Sequence, residues 1–300
     1  MDRLFGGIEA GGTKFVCMVG TGPEGVIRET HFPTAQPEET LQQAIAFFEP
    51  FARRDELAAI GIGSFGPLDL NPDSPTYGYI TTTPKTEWTQ FDLRGRVAQA
   101  LGLPVAFETD VNAAAYGEHA WIAENRSLDP FLYMTVGTGI GVGALVNGRP
   151  FHGLVHAEAG HFALPHDRGK DPFPGICPYH GDCLEGLASG PAMRARWGQE
   201  AERLPDSHPG WDLEAEYIAL GLADLIYAIS PRRIVLGGGV AQHGGLHEAV
   251  RHKVQRILNG YIHSPLILDS IGEFIVPPRL GNRSGVLGAI ALAADLTRAS

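Results

Sequence analysis

Glu9-Ala10-Gly11-Gly12-Thr13-Lys14 sits between two short apolar runs, Leu4–Ile8 and Phe15–Val19. An apolar run, a glycine–threonine turn and a second apolar run read as a β-hairpin. The same plan returns later in the chain. Phe131–Val136 is a strand, Gly137-Thr138-Gly139-Ile140-Gly141 a turn, and Val142–Val146 the returning strand. A motif that occurs twice implies two related lobes and not a solenoid.

Helical periodicity fills the space around the hairpins. Leu41, Ala44, Ile45, Phe48 and Ala52 keep helical spacing over about Glu38–Arg54. A strand over Leu57–Ile62, a proline- and threonine-rich loop from Ser64 to Trp88 and a helix over Leu93–Leu101 follow. Strand Val105–Phe107 and a helix through Ala113–Ala123 complete the first half. After the second hairpin, an irregular His/Pro/Cys-rich stretch (152–183) leads to helices over about Leu184–Gly198 and Leu213–Ile229. Strand Arg233–Leu236 runs into Gly237-Gly238-Gly239, and helices near His247–Leu258 and Gly285–Leu296 follow. Strands alternating with helices predict an α/β architecture.

The 300 residues carry a net charge of -11, from 23 basic and 34 acidic side chains. An acidic chain with no Lys/Arg run repels nucleic acid and anionic membrane, so neither is an expected partner. Any phosphate must be held by backbone N–H groups, a metal ion or isolated cations. The apolar stretches are too short or interrupted to span a bilayer, and Met1–Arg3 leads into a strand-like run, so no signal peptide is expected. Cys17, Cys177 and Cys183 make no disulfide framework. The expected location is the cytoplasm.

Gly61-Ile62-Gly63-Ser64-Phe65-Gly66 spells G-x-G-x-x-G after a strand. A dinucleotide site needs a helix there, and Pro67 with a loop follows instead, so a Rossmann site is rejected. No G-x-x-x-x-G-K-[ST] is present, which excludes a P-loop. The two hairpin turns could each wrap a phosphate, because small residues let N–H groups close on the oxygens and a threonine hydroxyl adds a donor. Either turn alone is equally an ordinary hairpin. The matched pair, with Gly237–Gly239 as a third cluster, favours phosphate.

Cys177, His180 and Cys183 stand at i, i+3 and i+6, and His161 lies sixteen residues upstream of Cys177. Two cysteines and two histidines can close a tetrahedral structural zinc site, which would also order a segment with little regular structure. The alternative is a pair of reduced cysteines packed as small hydrophobes; the spacing is wrong for a C-x-x-C redox pair. His156-x-Glu158 before a cysteine pair superficially matches the zinc deaminases, but their P-C-x-x-C is missing. The zincin motif fails as well, since Glu158 does not directly follow His156.

Glu108-Thr109-Asp110-Val111-Asn112 lies between a short strand and an alanine-rich helix. Thr109, Asp110 and Asn112 are all good helix caps, and capping alone accounts for them. A carboxylate at a strand end facing a cleft is also well placed to accept a hydroxyl proton. Glu158 and Glu185 flank the candidate metal ligands. Each is either a solvated acid or a carboxylate held rigidly enough to grip sugar hydroxyls.

Taken in order, Glu9–Lys14, Glu108–Glu118, Thr135–Gly141, Glu158–His161, Cys177–Cys183 and Leu236–Val240 resemble the ROK sugar kinases, and more closely their bacterial fructokinase branch. The resemblance spans essentially the whole chain. It implies an actin/hexokinase-like (ribonuclease H-like) two-lobe α/β fold with ATP and Mg²⁺ in an interlobe cleft. The expected lobes are 1–111, with a C-terminal helix near 284–300 packing back on it, and 112–283, carrying a zinc-stabilised segment 156–185.

The resemblance further implies Asp110 as general base, with Asn112, Glu158, His161 and Glu185 bonding the sugar. His161 would ligate zinc through its other ring nitrogen, with Cys177, His180 and Cys183. Gly11, Gly12, Thr13 and Lys14 would cradle phosphates with Gly137, Thr138 and Gly139, while Gly237, Gly238 and Gly239 would lie against adenosine. Many family members have Asp where this chain has Glu9, which leaves the role of Glu9 open. Glucokinase-type members carry C-x-C-G-x-x-G-C, whereas a histidine takes the middle ligand position here, as in the fructokinase branch. The expected activity is ATP-dependent conversion of fructose to fructose 6-phosphate by a homodimer. The alternatives are a glucokinase or mannokinase of the same family, a sugar-responsive regulator, for which no N-terminal helix-turn-helix is expected, and a zinc hydrolase or deaminase.

Overall fold

The computed structural model describes residues 3–298. Met1, Asp2, Ala299 and Ser300, which the expected lobe and closing-helix boundaries include, lie outside the described residues. The chain divides into two units, one of Met1–Ser127, Arg149–Ala157 and Arg279–Ser300, the other of Leu128–Gly148 and Glu158–Pro278. The break expected after residue 111 would fall inside the helix Asp110–Trp121, which stays whole in the first unit.

In the first unit the opening hairpin pairs Leu4–Ala10 with Lys14–Gly20, Ile8 facing Cys17 and Ala10 facing Phe15. The sheet runs in the order Val26–Pro33, Lys14–Gly20, Leu4–Ala10, Leu57–Ser64, Val105–Thr109, antiparallel at the first two junctions and parallel at the last two. Leu57–Ser64 is buried at every position, as a central parallel strand covered on both faces should be. Pro37–Ala52 packs Leu41, Ala44, Phe47, Phe48 and Phe51 against one face, with Ile60, Ile62, Leu93 and Trp88 in the same core.

The expected loop 64–88 is tied down from within. Trp88 is 1% exposed, its ring lies near Phe15, Phe65 and Phe91, and its Nε1 donates to Ala35 O at 3.1 Å. Burying so large a side chain contributes about 2–3 kcal/mol, enough to order the segment around it.

The closing helix Ser284–Arg298 lies on the sheet's other face, against Val16 and Met18, and crosses Asp110–Trp121 at very short range. Small residues permit this. A side chain on Gly61 would strike the carbonyl of Ala289, and one on Gly288 the carbonyl of Ala113. The first two glycines of the G-x-G-x-x-G run are therefore strand residues that make room for helices. Gly61 faces Ala289, and a Cβ on Gly63 would lie 2.6 Å from that of Ala113.

In the second unit, Ile140–Val146, Phe131–Val136, Arg233–Gly237 and Ile275–Val276 line up in that order, antiparallel then parallel. Gly210–Ile229 and Leu246–Leu258 pack beside them on a core that includes Leu132, Met134, Leu222, Ile226 and Val250. The helix expected over Leu184–Gly198 is two helices, Leu184–Ala188 and Gly190–Trp197. Ser189 is extended and caps the second by accepting from Ala192 N, and Pro191 has no N–H with which to continue the first.

Candidate active site

Backbone bonds hold the first glycine turn closed. Gly11 N donates to Lys14 O at 3.0 Å, and Thr34 Oγ1 donates to Gly11 O at 2.7 Å. Thr13 and Lys14 are exposed at its tip. Lys85 was not singled out from the sequence. A Cβ on Gly12 would lie 3.7 Å from its side chain, so a second cation stands beside the turn. Glu9 points away from it. Its Oε2 accepts from Val286 N at 3.1 Å in the first turn of the closing helix, where negative charge is favoured. Burial raises the Glu9 pKa against the opposing pull of Lys14.

At the end of Val105–Thr109 the cap is Thr109, whose Oγ1 accepts from Asn112 N at 3.2 Å. Asp110 is thus the first helical residue and not the cap. It is half-buried, and its Oδ1 accepts from Val111 N at 2.9 Å. Asn112 is wholly buried. Its Nδ2 donates to Glu108 Oε1 at 3.0 Å and lies 3.4 Å from His156 Nδ1. Glu108 Oε2 lies 2.8 Å from His152 Nε2. That hydrogen bond raises the His152 pKa, whereas burial lowers that of His156.

The second unit gathers its glycine turns on one another. Gly137 N donates to Gly139 O at 2.9 Å, and Gly137 O accepts from Gly190 N at 2.8 Å, at the start of Gly190–Trp197. A Cβ on Gly137 would lie 3.8 Å from Gly239 N. The N–H groups of Gly137 and Gly190 are spent on these internal bonds, so what the glycine turns offer an anion is close backbone approach and the positive end of the Gly190–Trp197 dipole. Gly238 has φ +93° and lies on the backbone of Val136, where a Cβ would stand 2.6 Å from the carbonyl carbon. Gly238→Ala should therefore destabilise the protein by about 1–3 kcal/mol, read as a lower denaturant midpoint at unchanged slope. Gly239→Ala, which meets nothing within 4 Å, is the control and should stay within about 0.5 kcal/mol.

Glu185 sits under this turn. Its Oε2 accepts from Ile140 N at 2.9 Å, and it leaves no room for a side chain on Gly139. Glu158 keeps an exposed edge, yet the protein packed around it raises its pKa; His161 opposes that shift and the like charge of Glu185 adds to it.

His161, Cys177, His180 and Cys183 come together, with ligand atoms all within 4.8 Å of one another. His161 Nδ1 lies 3.5 Å from Cys183 Sγ and 3.8 Å from Cys177 Sγ, and His180 Nδ1 lies 3.6 Å from Cys177 Sγ. A zinc tetrahedron with ordinary Zn–N and Zn–S bonds has nitrogen–sulfur edges of about 3.6 Å, so the donor set fits a metal ion of that kind. Burial pushes the Cys183 thiol up to about 11, and a bound cation would reverse that shift. Cys183 immediately precedes the Leu184–Ala188 helix that carries Glu185.

Most of the expected site residues therefore fall into local groups, with Asp110 beside Asn112 in one unit and Glu158, His161, Glu185, the metal-type cluster and two glycine turns in the other. Glu108, His152, His156 and Lys85 were assigned no role from the sequence. The pairing of Glu108 with His152 and of Asn112 with His156, each across 44 positions, has no local signal; only a carboxylate on a buried strand hinted at it.

The chain matches the ROK family over residues 5–296. Fructokinase from Streptococcus mutans serotype c is 42% identical over 295 residues, 98% of each chain, and a Bacillus subtilis protein provisionally named a fructokinase is 48% identical over 97% of this chain and 95% of its own. The solved ROK hexokinase from Thermus thermophilus superposes with a TM-score of 0.77 at 29% identity, covering 99% of this chain and all of its own. A ROK glucokinase from Streptomyces griseus, solved with glucose and AMPPNP, also gives 0.77, at 26% identity, with 97% and 99% covered.

Proposed function

The chain belongs to the ROK family, and from that premise we propose that it is an ATP-dependent fructokinase, which converts fructose to fructose 6-phosphate. The observation that carries the phosphotransfer reading is the meeting of the Gly137–Gly139 turn, the Gly190 helix start and Gly239 in the second unit. A backbone-built anion site is what an acidic protein without a P-loop needs for a triphosphate. Gly11, Gly12, Thr13 and Lys14 serve the phosphates from the first unit with Lys85 beside them, and Gly237–Gly239 meets adenosine. Mg²⁺ bound with the nucleotide would supply neutralisation of charge on its phosphates.

Asp110 takes the proton of the sugar's 6-hydroxyl as that oxygen bonds to the γ-phosphorus and the bond to ADP breaks. Asn112, Glu158, Glu185 and His161 bind sugar hydroxyls. The Nδ1 of His161 faces the cysteines, which leaves Nε2 for the sugar. His161, Cys177, His180 and Cys183 hold structural zinc, which keeps the backbone on either side of Glu158 and Glu185 in place. The reading takes the cytoplasm as the location; among the described residues no helix is long and apolar enough to cross a membrane. A homodimer completes the proposal.

A panel of fructose, mannose and glucose, assayed for ADP release with Mg²⁺ and ATP, tests it. Fructose should lead in kcat/KM by about tenfold or more, the scale that a few pocket contacts supply. A lead for glucose would overturn the fructose assignment, and no turnover of any hexose would overturn the kinase.

A further inference from the structure

Residues 162–183 run as turns, bends and isolated bridges, yet a chain of buried polar side chains crosses them. Asp171 is 4% exposed. It accepts at Oδ1 from Arg196 Nε at 3.3 Å, and at Oδ2 from Arg196 Nη2 at 3.1 Å and Tyr217 Oη at 2.7 Å. Arg196 also donates from Nη1 to Leu187 O at 2.8 Å, in the helix that carries Glu185, and its guanidinium lies 4.3 Å from the centre of the Phe173 ring. A forked guanidinium–carboxylate pair shielded from water fixes direction as well as position. The buried His166 side chain continues the chain. Its Nε2 lies 2.9 Å from Asp171 O and its Nδ1 3.0 Å from Asp182 Oδ2. Both partners accept, so both ring nitrogens donate. Asp182 stands between His180 and Cys183, and its own N donates to His180 O at 2.9 Å.

We propose that His166, backed by Asp171 and Arg196, is a positioning residue for the metal-type cluster: it grips Asp182 and so holds His180 and Cys183 at ligating distance before an ion binds. The inference rests on the structural-zinc reading above, in which none of the three is a ligand. A loop that an ion had to order would give up part of the binding free energy to that ordering, whereas a loop already held keeps it for affinity. Through Leu187 O, Arg196 also fixes the helix that follows Cys183, so loop and helix share one anchor. Arg168 touches the same carboxylate, Nη2 to Asp182 Oδ2 at 2.6 Å, but its side chain is 57% exposed, and a solvated pair of that kind contributes little.

Zinc titrated into the full-length, metal-free protein against a chromophoric chelator tests it. His166→Ala should weaken zinc binding by about 10- to 100-fold, the range for groups that orient metal ligands without touching the ion. Arg168→Ala should change it by no more than about twofold. With cobalt(II) in place of zinc, the ligand-field and thiolate charge-transfer bands of His166→Ala should superimpose on those of the wild type, because the four ligands are unchanged. Altered bands would mean that His166 belongs to the ligand set, and would overturn the positioning role. If His166→Ala does not fold, Asp182→Ala removes the same link from its half-exposed end and should weaken zinc by about tenfold or more. A variant that melts lower without its metal yet binds zinc as the wild type does would show a part in stability alone, and would refute the proposal. Were the wild type to take up neither zinc nor cobalt, the zinc reading itself would fall and this inference with it; metal uptake by the wild type with unweakened variants would sink the inference and leave the zinc reading standing.

Discussion

Asp110→Asn should lose about 10³-fold in kcat while fructose KM, ATP KM and the melting temperature stay close to wild type. The structure separates two roles that coincide in the sequence. Thr109 supplies the helix cap, so amidation of Asp110 removes no cap hydrogen bond. Asparagine keeps the shape of the side chain and can still accept from Val111 N, as Asp110 Oδ1 does at 2.9 Å. What it cannot do is take up a proton at neutral pH. A fall in kcat with both KM values retained is the signature of a group acting in the transition state. If Asp110→Asn turned over fructose at the wild-type rate, Asp110 would not be the base. If it lost stability by more than about 1 kcal/mol, its part in the fold would be larger than the cap geometry allows.

Loss of one thiol from the metal-type cluster should act twice. In Cys183→Ala, zinc measured by elemental analysis should fall from about one ion per chain to none, and the melting temperature by about 10 °C. That shift corresponds to a few kcal/mol in a unit of this size. Sugar kinetics should fall further than folding explains. Glu185 lies two residues beyond Cys183, on the helix that Cys183 immediately precedes, and His161 is both a candidate ligand and a candidate sugar contact. We expect kcat/KM for fructose to drop about 100-fold in the fraction that remains folded, in the range found when groups that orient a site are removed. Wild-type melting and full activity after chelation would show that the cluster packs as reduced thiols and histidines without an ion.

Features fixed by neighbouring residues were legible in the sequence. The glycine turns and the Cys177–Cys183 spacing each depend on a few adjacent positions whose chemistry is local; the helix expected from Ala113 starts three residues earlier, at Asp110, behind its Thr109 cap. The Val26–Pro33 strand was not legible. Only Phe32 in it is buried, so it lacks an apolar signal, and it belongs to the sheet because Lys14–Gly20 offers an edge to pair with. The break at Ser189 was missed because apolar residues continue across it, although Gly190-Pro191 was a readable stop signal. Asn112 was read as a sugar contact; its engagement with Glu108 and His156 could not be seen without a tertiary structure.

The buried carboxylate of Glu118 accepts from Arg279 N at 3.1 Å, Leu280 N at 2.9 Å and Ser284 Oγ at 2.8 Å, and so anchors the start of the closing helix in the first unit. On the ribosome, every residue of the second unit emerges before that anchor can form. The nascent first unit must wait with Val16, Met18 and the glycine seats of its sheet uncovered, while Leu128–Gly148 and Glu158–Pro278 are already free to condense. Completion thus runs opposite to synthesis: the unit begun first is the last to be sealed.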